Sequence, residues 1–422
     1  MKKIFFLLLI SMPLLVSAQN LNGRFSSSFY TFERFNSLNE SDTYIRTFQS
    51  LNLNFNYGKF SIKTRTSAET NMWNAVDSSS SRLRFYNLYL EARDVFDIAT
   101  IKLGRQPIYN SVTGGLFDGA NLKLRYNGFS LSGYYGGNVP AYQKLQFTDD
   151  IENDYLLGGT FEVTALEGFR FAVSYVDKNF KPLNYTAMRL SENLDPIQVL
   201  IEQKSNQYKF LSGEASYEMK GVFSIDAKYD YDLNFNETSK VEATGRVQIT
   251  DELGANAYYN LREPMIRYNS IFSVFNYGNS QEIEGGLDYK INDFFTVTGK
   301  FGQVEYEDEN SQRVTLGVNS NYGSFSYRKT MGYAGELDNI SIYTAHSFLE
   351  GKLTPSLGVA FTTYKLSKDS EENNITSILA GLNVRPWNKL SFDLQGQYFN
   401  NKIYTNDFRV LVKINYWFNT NF

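Results

Sequence analysis

From about residue 24 onward the chain repeats one pattern: segments of roughly ten residues in which apolar and polar side chains alternate, cut by turn residues. Phe223 to Leu233 shows it best, with Phe223, Ile225, Ala227, Tyr229, Tyr231 and Leu233 on one face and Ser224, Asp226, Lys228, Asp230 and Asp232 on the other. Leu51 to Tyr57, Phe169 to Tyr175 and Glu282 to Ile291 repeat it. Two folds bury such faces: a β-sandwich, and a barrel whose apolar side meets lipid.

Two features favour the barrel. Apolar sets end in Tyr, Phe or Trp near the turns, as membrane girdles require, whereas a sandwich core has no reason to put aromatics at strand ends. Connections also alternate in length. Tyr57-Gly58-Lys59, Asn127-Gly128, Lys220-Gly221, Asn292-Asp293 and Trp387-Asn388 are tight turns, expected on the periplasmic side. Asn36 to Thr43, Pro107 to Ala120, Gly137 to Asp154, Lys178 to Asn206, Arg262 to Ser280 and Ser367 to Asn374 read as long outer loops. The expected fold is all-β: a transmembrane antiparallel up-and-down barrel of about 22 strands, within roughly 18 to 24.

Composition agrees. Aromatics reach 16%, with 31 Tyr and 34 Phe, yet mean hydropathy is −0.37, a pairing natural to a wall that faces lipid on one side and water on the other. There is no cysteine, which removes disulfides and thiol chemistry. A formal charge of −4 points to no nucleic acid partner. Lys2 and Lys3, the apolar run Ile4 to Val16 and the small-residue exit Val16-Ser17-Ala18 form a secretory signal, so residues 1–18 are expected to be removed and 19–422 to be the barrel. The apolar run is too short for a spanning helix, and no later stretch is long enough. The barrel pattern starts close to that cleavage site, which leaves no segment for an N-terminal plug.

Two strands change phase. Arg82 to Glu91 switches its apolar face near Tyr86, and Gly104 falls where Arg105 would otherwise point at lipid, so both are expected to carry β-bulges. Ile101-Lys102-Leu103-Gly104-Arg105-Gln106, followed by Phe117-Asp118-Gly119-Ala120 and Gly133 to Asn138, resembles the porin and alginate-export-like barrels of Gram-negative bacteria. The last strand ends in Tyr416-Trp417-Phe418 with Phe422 final, similar to the signal read by barrel-assembly machinery. The resemblance implies a single barrel in the cell outer membrane, contact with outer-membrane lipid and that machinery, and channel activity for small polar solutes; a homo-oligomer remains an option. It does not carry the substrate over, because the polyanion exporters of that family line their lumen with arginine and this chain has many inward carboxylates.

Sorted by sign, the inward set forms two arcs. A basic wall comprises Arg24, Arg46, Lys63, Arg65, Lys102, Arg105, Lys123, Arg125, Arg170, Arg385, Arg409 and Lys413. An acidic wall comprises Glu214, Glu218, Asp226, Asp230, Asp232, Glu242, Glu282, Glu284 and Asp288. Closure would set them opposite each other, creating a transverse field that favours hydrated polar solutes; the plainer reading is a merely solvated surface.

Catalysis has little support. Asp230 and Asp232 fall on one wetted face by alternation alone. The only histidine, His346, is expected to face inward, with neighbouring Ser347 on the opposite side, so the two make no nucleophile pair. Asp149, Asp150, Glu152 and Asp154 lack the glycine and spacing of a defined calcium loop, and no metal or cofactor is expected. Asp195-Pro196 followed by Ile197 to Lys204 reads as a capped short helix in the longest loop. The expected function is passive diffusion, with a barrel acting as scaffold or surface-interaction protein as the alternative and an enzyme disfavoured.

Overall fold

A computed structural model describes residues 19–35, 41–73, 81–109, 114–139, 145–181, 183–191, 195–203, 208–263, 279–306, 309–332, 336–366, 370–402 and 406–421. The expected signal segment 1–18 and the terminal Phe422 lie outside the described residues. The strands are β1 (Gln19–Phe35), β2 (Ser41–Tyr57), β3 (Phe60–Trp73), β4 (Ser81–Val95), β5 (Ala99–Tyr109), β6 (Gly114–Tyr126), β7 (Phe129–Val139), β8 (Tyr155–Val163), β9 (Phe169–Lys178), β10 (Leu183–Leu190), β11 (Pro196–Gln203) and β12 (Tyr208–Met219). They continue with β13 (Phe223–Asp232), β14 (Glu237–Gln248), β15 (Leu253–Arg262), β16 (Ser280–Lys290), β17 (Phe295–Tyr306), β18 (Glu309–Ser320), β19 (Gly323–Gly332), β20 (Leu337–Ala345), β21 (Leu353–Tyr364), β22 (Asn373–Trp387), β23 (Leu390–Asn400) and β24 (Asp407–Asn421).

Twenty-two of these strands form one sheet, in which each pairs antiparallel with its neighbours and β9 pairs with β12. β1 pairs with β24 from Asn20↔Asn421 to Tyr30↔Leu411, which closes the sheet on itself. Closure leaves no sheet edge, the condition for a sheet to sit in lipid. No described helix is long and apolar enough to cross a membrane.

Alternation determines the two surfaces. Leu90, Leu103, Leu131, Val173, Ile283 and Leu394 stand among many large apolar side chains left exposed on the outside, while Ser26, Ser61, Ser174, Ser212 and Asn415 are buried on the inside. This inverts a soluble protein, whose interior is the apolar side. Phe60, Tyr126, Phe169, Tyr289, Tyr322 and Trp387 lie exposed beside tight turns, where the girdle was expected, and Phe169 stacks with Tyr217 at 4.4 Å. Polar exit from the bilayer explains their place: the ring stays in apolar surroundings and the polar edge meets water.

The turns named in the sequence all close hairpins at one end, with Gly58 at φ 54°, Asn127 at 46°, Gly128 at 80° and Gly221 at 75°. Some long connections are shorter than expected, whereas those from β9 to β12 and from β15 to β16 lie where expected, with 192–194, 204–207 and 264–278 outside the described residues. Most of Pro107 to Ala120 is strand, because β5 runs to Tyr109 and β6 begins at Gly114; β7 likewise extends to Val139. Extended backbone carries on past the alternation, which polar and glycine residues obscure at that end. The expected helix at Ile197 to Lys204 is instead β11, paired with β10 from Leu183↔Gln203 to Leu190↔Pro196 in a separate two-stranded sheet. Ile197, Val199 and Ile201 share one face of it; the β-branched run Ile-Gln-Val-Leu-Ile outweighs the cap signal of Asp195-Pro196.

One of the two expected bulges is present; at Gly104 there is none, because the register runs unbroken through Tyr89↔Gly104 and Gly104↔Gly119. Arg65 pairs with Asn87 and Thr66 with Phe85, so Tyr86 is the extra residue of a β-bulge. Gly104 has φ 123°, and a Cβ there would meet the Leu88 carbonyl at 2.4 Å, so only glycine fits.

Candidate functional site: the inner wall

The rows of the inner wall are fixed by register. One row runs Trp417, Arg24, Asn52, Arg65 and Asn87 across β24, β1, β2, β3 and β4. The next runs Asn419, Asn22, Asn54, Lys63 and Tyr89. Each side chain in a row lies within reach of its neighbours, so charges placed by alternation on different strands meet as pairs.

Seven of the twelve residues assigned to the basic wall are paired with carboxylates, all of them but Glu214 outside the assigned acidic wall. Arg46 binds Glu69 at 2.8 Å, and Arg170 bridges Glu162 at 2.6 Å and Glu214 at 2.8 Å. Glu91, only 4% exposed, gathers Lys63 at 2.8 Å, Arg93 at 3.3 Å and Lys102 at 3.8 Å. Lys123 lies 4.0 Å from Glu162, and Arg409 binds Asp407 at 2.6 Å. Arg105 makes a bidentate pair with Asp118, its Nε and Nη2 donating at 2.8 and 2.7 Å, and both side chains are nearly buried.

Arg24, Arg65, Arg125, Arg385 and Lys413 have no ion pair among the described residues. Arg65 lies over the Tyr86 ring at 5.2 Å and Arg385 over Trp417 at 5.2 Å, contacts that orient a guanidinium without neutralising it.

The acidic arc is interleaved with cations. Glu282 and Glu284 share Arg313, and Glu284 also binds Lys300 at 3.2 Å. Glu242 pairs with Lys240, Asp230 with Lys228 at 3.1 Å, and Glu214 with Arg170. Asp288 accepts hydrogen bonds from Thr298 Oγ1 at 2.7 Å and Asn256 Nδ2 at 3.3 Å. Asp232 accepts the backbone N–H of Asn234 and of Phe235 and so shapes a loop. Only Glu218 and Asp226 of the nine carry no such bond among the described residues. Lys228, Lys240, Lys300 and Arg313 were legible as inward by the same alternation; sorting by sign hid them.

His346 does not continue the inner face. It lies past the end of β20 at the tight-turn end, where its ring packs on Phe348 at 4.8 Å and Tyr322 at 5.5 Å. The ladder runs on past β20, with the His346 N–H donating to the Pro355 carbonyl and Phe348 bridging Leu353, so His346 shares the outer face of Ile340, Ile342 and Phe348 and alternation itself puts it there. Ser347 Oγ lies 2.9 Å from Thr354 Oγ1 instead of near the imidazole. Asp149 binds Lys181 at 2.6 Å, and among the described residues no group of three or more potential ligands is arranged to hold a metal.

Together the closed register, apolar exterior and charged interior define a closed antiparallel β-barrel whose outer face suits lipid and whose inner face suits water. No family model matches the chain, and no curated protein matches it. It is similar to several solved barrels. Acinetobacter baumannii OccAB3 shares 10% identity at a TM-score of 0.46, covering 95% of this chain and 99% of that one. The P pilus usher (PapC) translocation pore shares 11% at 0.45, covering 94% and 99%. A BenF-like porin from Pseudomonas fluorescens Pf-5 shares 10% at 0.42, covering 96% and 99%.

Proposed function

We propose that the chain is an outer-membrane channel for passive diffusion of small polar or charged solutes, reached after removal of residues 1–18. The observation that carries this reading is a charged wall inside a closed barrel whose outside is apolar. Ions and dipoles held around the interior would gain nothing from a dry core, where charge is costly to bury. The tight turns would then face the periplasm and the long loops the outside.

The two walls act unequally in this reading. Glu214, Asp230, Glu242, Glu282 and Glu284 have cations beside them, so their fields largely cancel within a Debye length of about 10 Å at 0.1 M salt, whereas Glu218, Asp226, Asp232 and Asp288 have none among the described residues. Arg24, Arg65, Arg125, Arg385 and Lys413 keep their charge uncompensated, which raises the local concentration of anions. A transverse field survives between these five cations and the four carboxylates without a cation, with the slight excess on the basic side. β24, which carries Tyr416-Trp417-Phe418 and runs on to Asn421, is the segment offered to the assembly machinery.

Liposome swelling tests the channel. Vesicles holding the folded barrel should swell in isotonic small polar solutes at rates that fall with solute size. No swelling above empty vesicles would leave the scaffold reading.

A further inference from the structure

Trp417 stands on the inner face of β24 near the tight-turn end, with a cation on either side. Arg24 is its register partner on β1, and the Trp417 backbone N–H donates to the Lys389 carbonyl at 2.8 Å in the turn before β23. Arg24 and Lys389 therefore lie two strand spacings apart, about 10 Å between backbones, and both side chains are long enough to meet over the indole. A third cation, Arg385, already lies over that ring at 5.2 Å. All three are exposed, and none has an ion pair among the described residues.

Arg24, Lys389 and Trp417 line one recess of 720 Å³, and no carboxylate lines it. Lys63 lines it too but is held by Glu91 at 2.8 Å. Asn419 Oδ1 accepts from Asn20 Nδ2 at 2.7 Å, which leaves the exposed Asn419 Nδ2 donor to the recess. Asn52, beside Arg24 on β2, is exposed and has no side-chain hydrogen bond among the described residues. Uncompensated positive charge in a concave wall, with amide donors next to it, attracts an anion.

We propose that this recess is a subsite for a small phosphate monoester. Arg24 and Lys389 bind the phosphoryl oxygens from two sides, the Asn419 and Asn52 amides donate to those that remain, and the organic part rests against Trp417 and Tyr89. Such donors suit a phosphoryl group, which carries about −1.5 to −2 charge at pH 7 and offers three acceptor oxygens. A monocarboxylate would leave most of the positive charge unanswered. The volume is that of a small-molecule site, typically about 300–1,000 Å³. The subsite deepens the channel reading and rests on it only in needing an inner wall open to water.

Glucose 6-phosphate is the probe, and isothermal titration calorimetry of the barrel folded in detergent at low salt is the readout. Saturable one-site heat is expected with the wild type, and none with glucose. Arg24→Gln/Lys389→Gln should raise the midpoint about tenfold or more, because two charge-assisted bonds are lost; Arg24→Gln alone serves if the pair does not fold. Lys220→Gln/Arg189→Gln removes the same charge from a turn and from the outer hairpin, away from the recess, and should leave the midpoint within about twofold. Heat-modifiable migration confirms that each variant is folded. Saturable binding of glucose, a midpoint moved equally by both double variants, or heat that never saturates overturns the subsite. Inorganic phosphate should bind more weakly than the ester, and equal or tighter binding would overturn the ester assignment. Bilayer current measured without the ester separates the two readings. A conducting barrel blind to glucose 6-phosphate keeps the channel and loses the subsite, and a silent barrel that binds it saturably does the reverse.

Discussion

Ala227→Arg puts a charge at the middle of the strand whose two faces are most cleanly divided. Ala227 lies between Ala215 on β12 and Ala243 on β14, with Ile225 and Tyr229 along its own strand, all on the apolar face. None of these neighbours is a carboxylate, so the guanidinium would enter lipid unpaired. For Arg near the midplane the cost is about 2–4 kcal/mol, or roughly 30- to 1,000-fold in the folding equilibrium. Ser224→Arg, on the water face opposite Glu218 and Arg246, should stay within about 0.5 kcal/mol. Urea unfolding of the barrel in lipid vesicles, followed by tryptophan fluorescence and heat-modifiable migration, measures both. Equal losses, or a larger loss at Ser224, would refute the facing of the wall.

Three further outcomes follow from particular contacts. Asp118→Asn leaves Arg105 nearly buried without its partner and should cost about 3–5 kcal/mol, whereas a joint apolar replacement of both should cost far less; urea melts of the two variants compare them. Gly104→Ala forces a Cβ to 2.4 Å from the Leu88 carbonyl at φ 123°, so destabilisation above about 1 kcal/mol is expected in the same assay, and a neutral result would deny that close approach. In the loops, Lys402 donates to Glu371 at 2.9 Å and holds that carboxyl below its usual range. A depressed carboxylate favours the paired state above its ordinary pKa and loses that contribution as pH falls through the lowered value. Proteolytic cleavage of these loops should therefore rise on acidification, less so in Glu371→Gln.

Much of the fold was legible because lipid and water impose opposite demands on the two faces of one strand. Alternation and turn chemistry sufficed for the strand number, the closing topology and even the extra residue at Tyr86. What escaped lies where those rules lapse. At Ile197 to Gln203 no membrane face organised the pattern, and a cap signal competed with β-branched residues. His346 is a different case: it shares the parity of Ile340 and Ile342, so the rule itself puts it on the outer face and the inward assignment misread it.

The charged wall was legible only in part. Alternation tells which way a side chain points, while pairing depends on cross-strand register, which follows from bulges and turn lengths. Hence Glu91 among Lys63, Arg93 and Lys102, or Arg313 between Glu282 and Glu284, emerges only once strands are aligned. The asparagine rows were visible as a polar face on β2, but their assembly across strands was not.

The channel itself is tested most directly by the reversal potential of single barrels in a planar bilayer under a potassium chloride gradient. The wild type should conduct and lean toward chloride. Arg24→Gln/Arg65→Gln/Arg125→Gln should conduct with its reversal potential moved toward potassium, and the shift should shrink as salt is raised. A folded wild-type barrel that passes no current would contradict the account, and a reversal potential unchanged by the triple substitution would contradict its lumen.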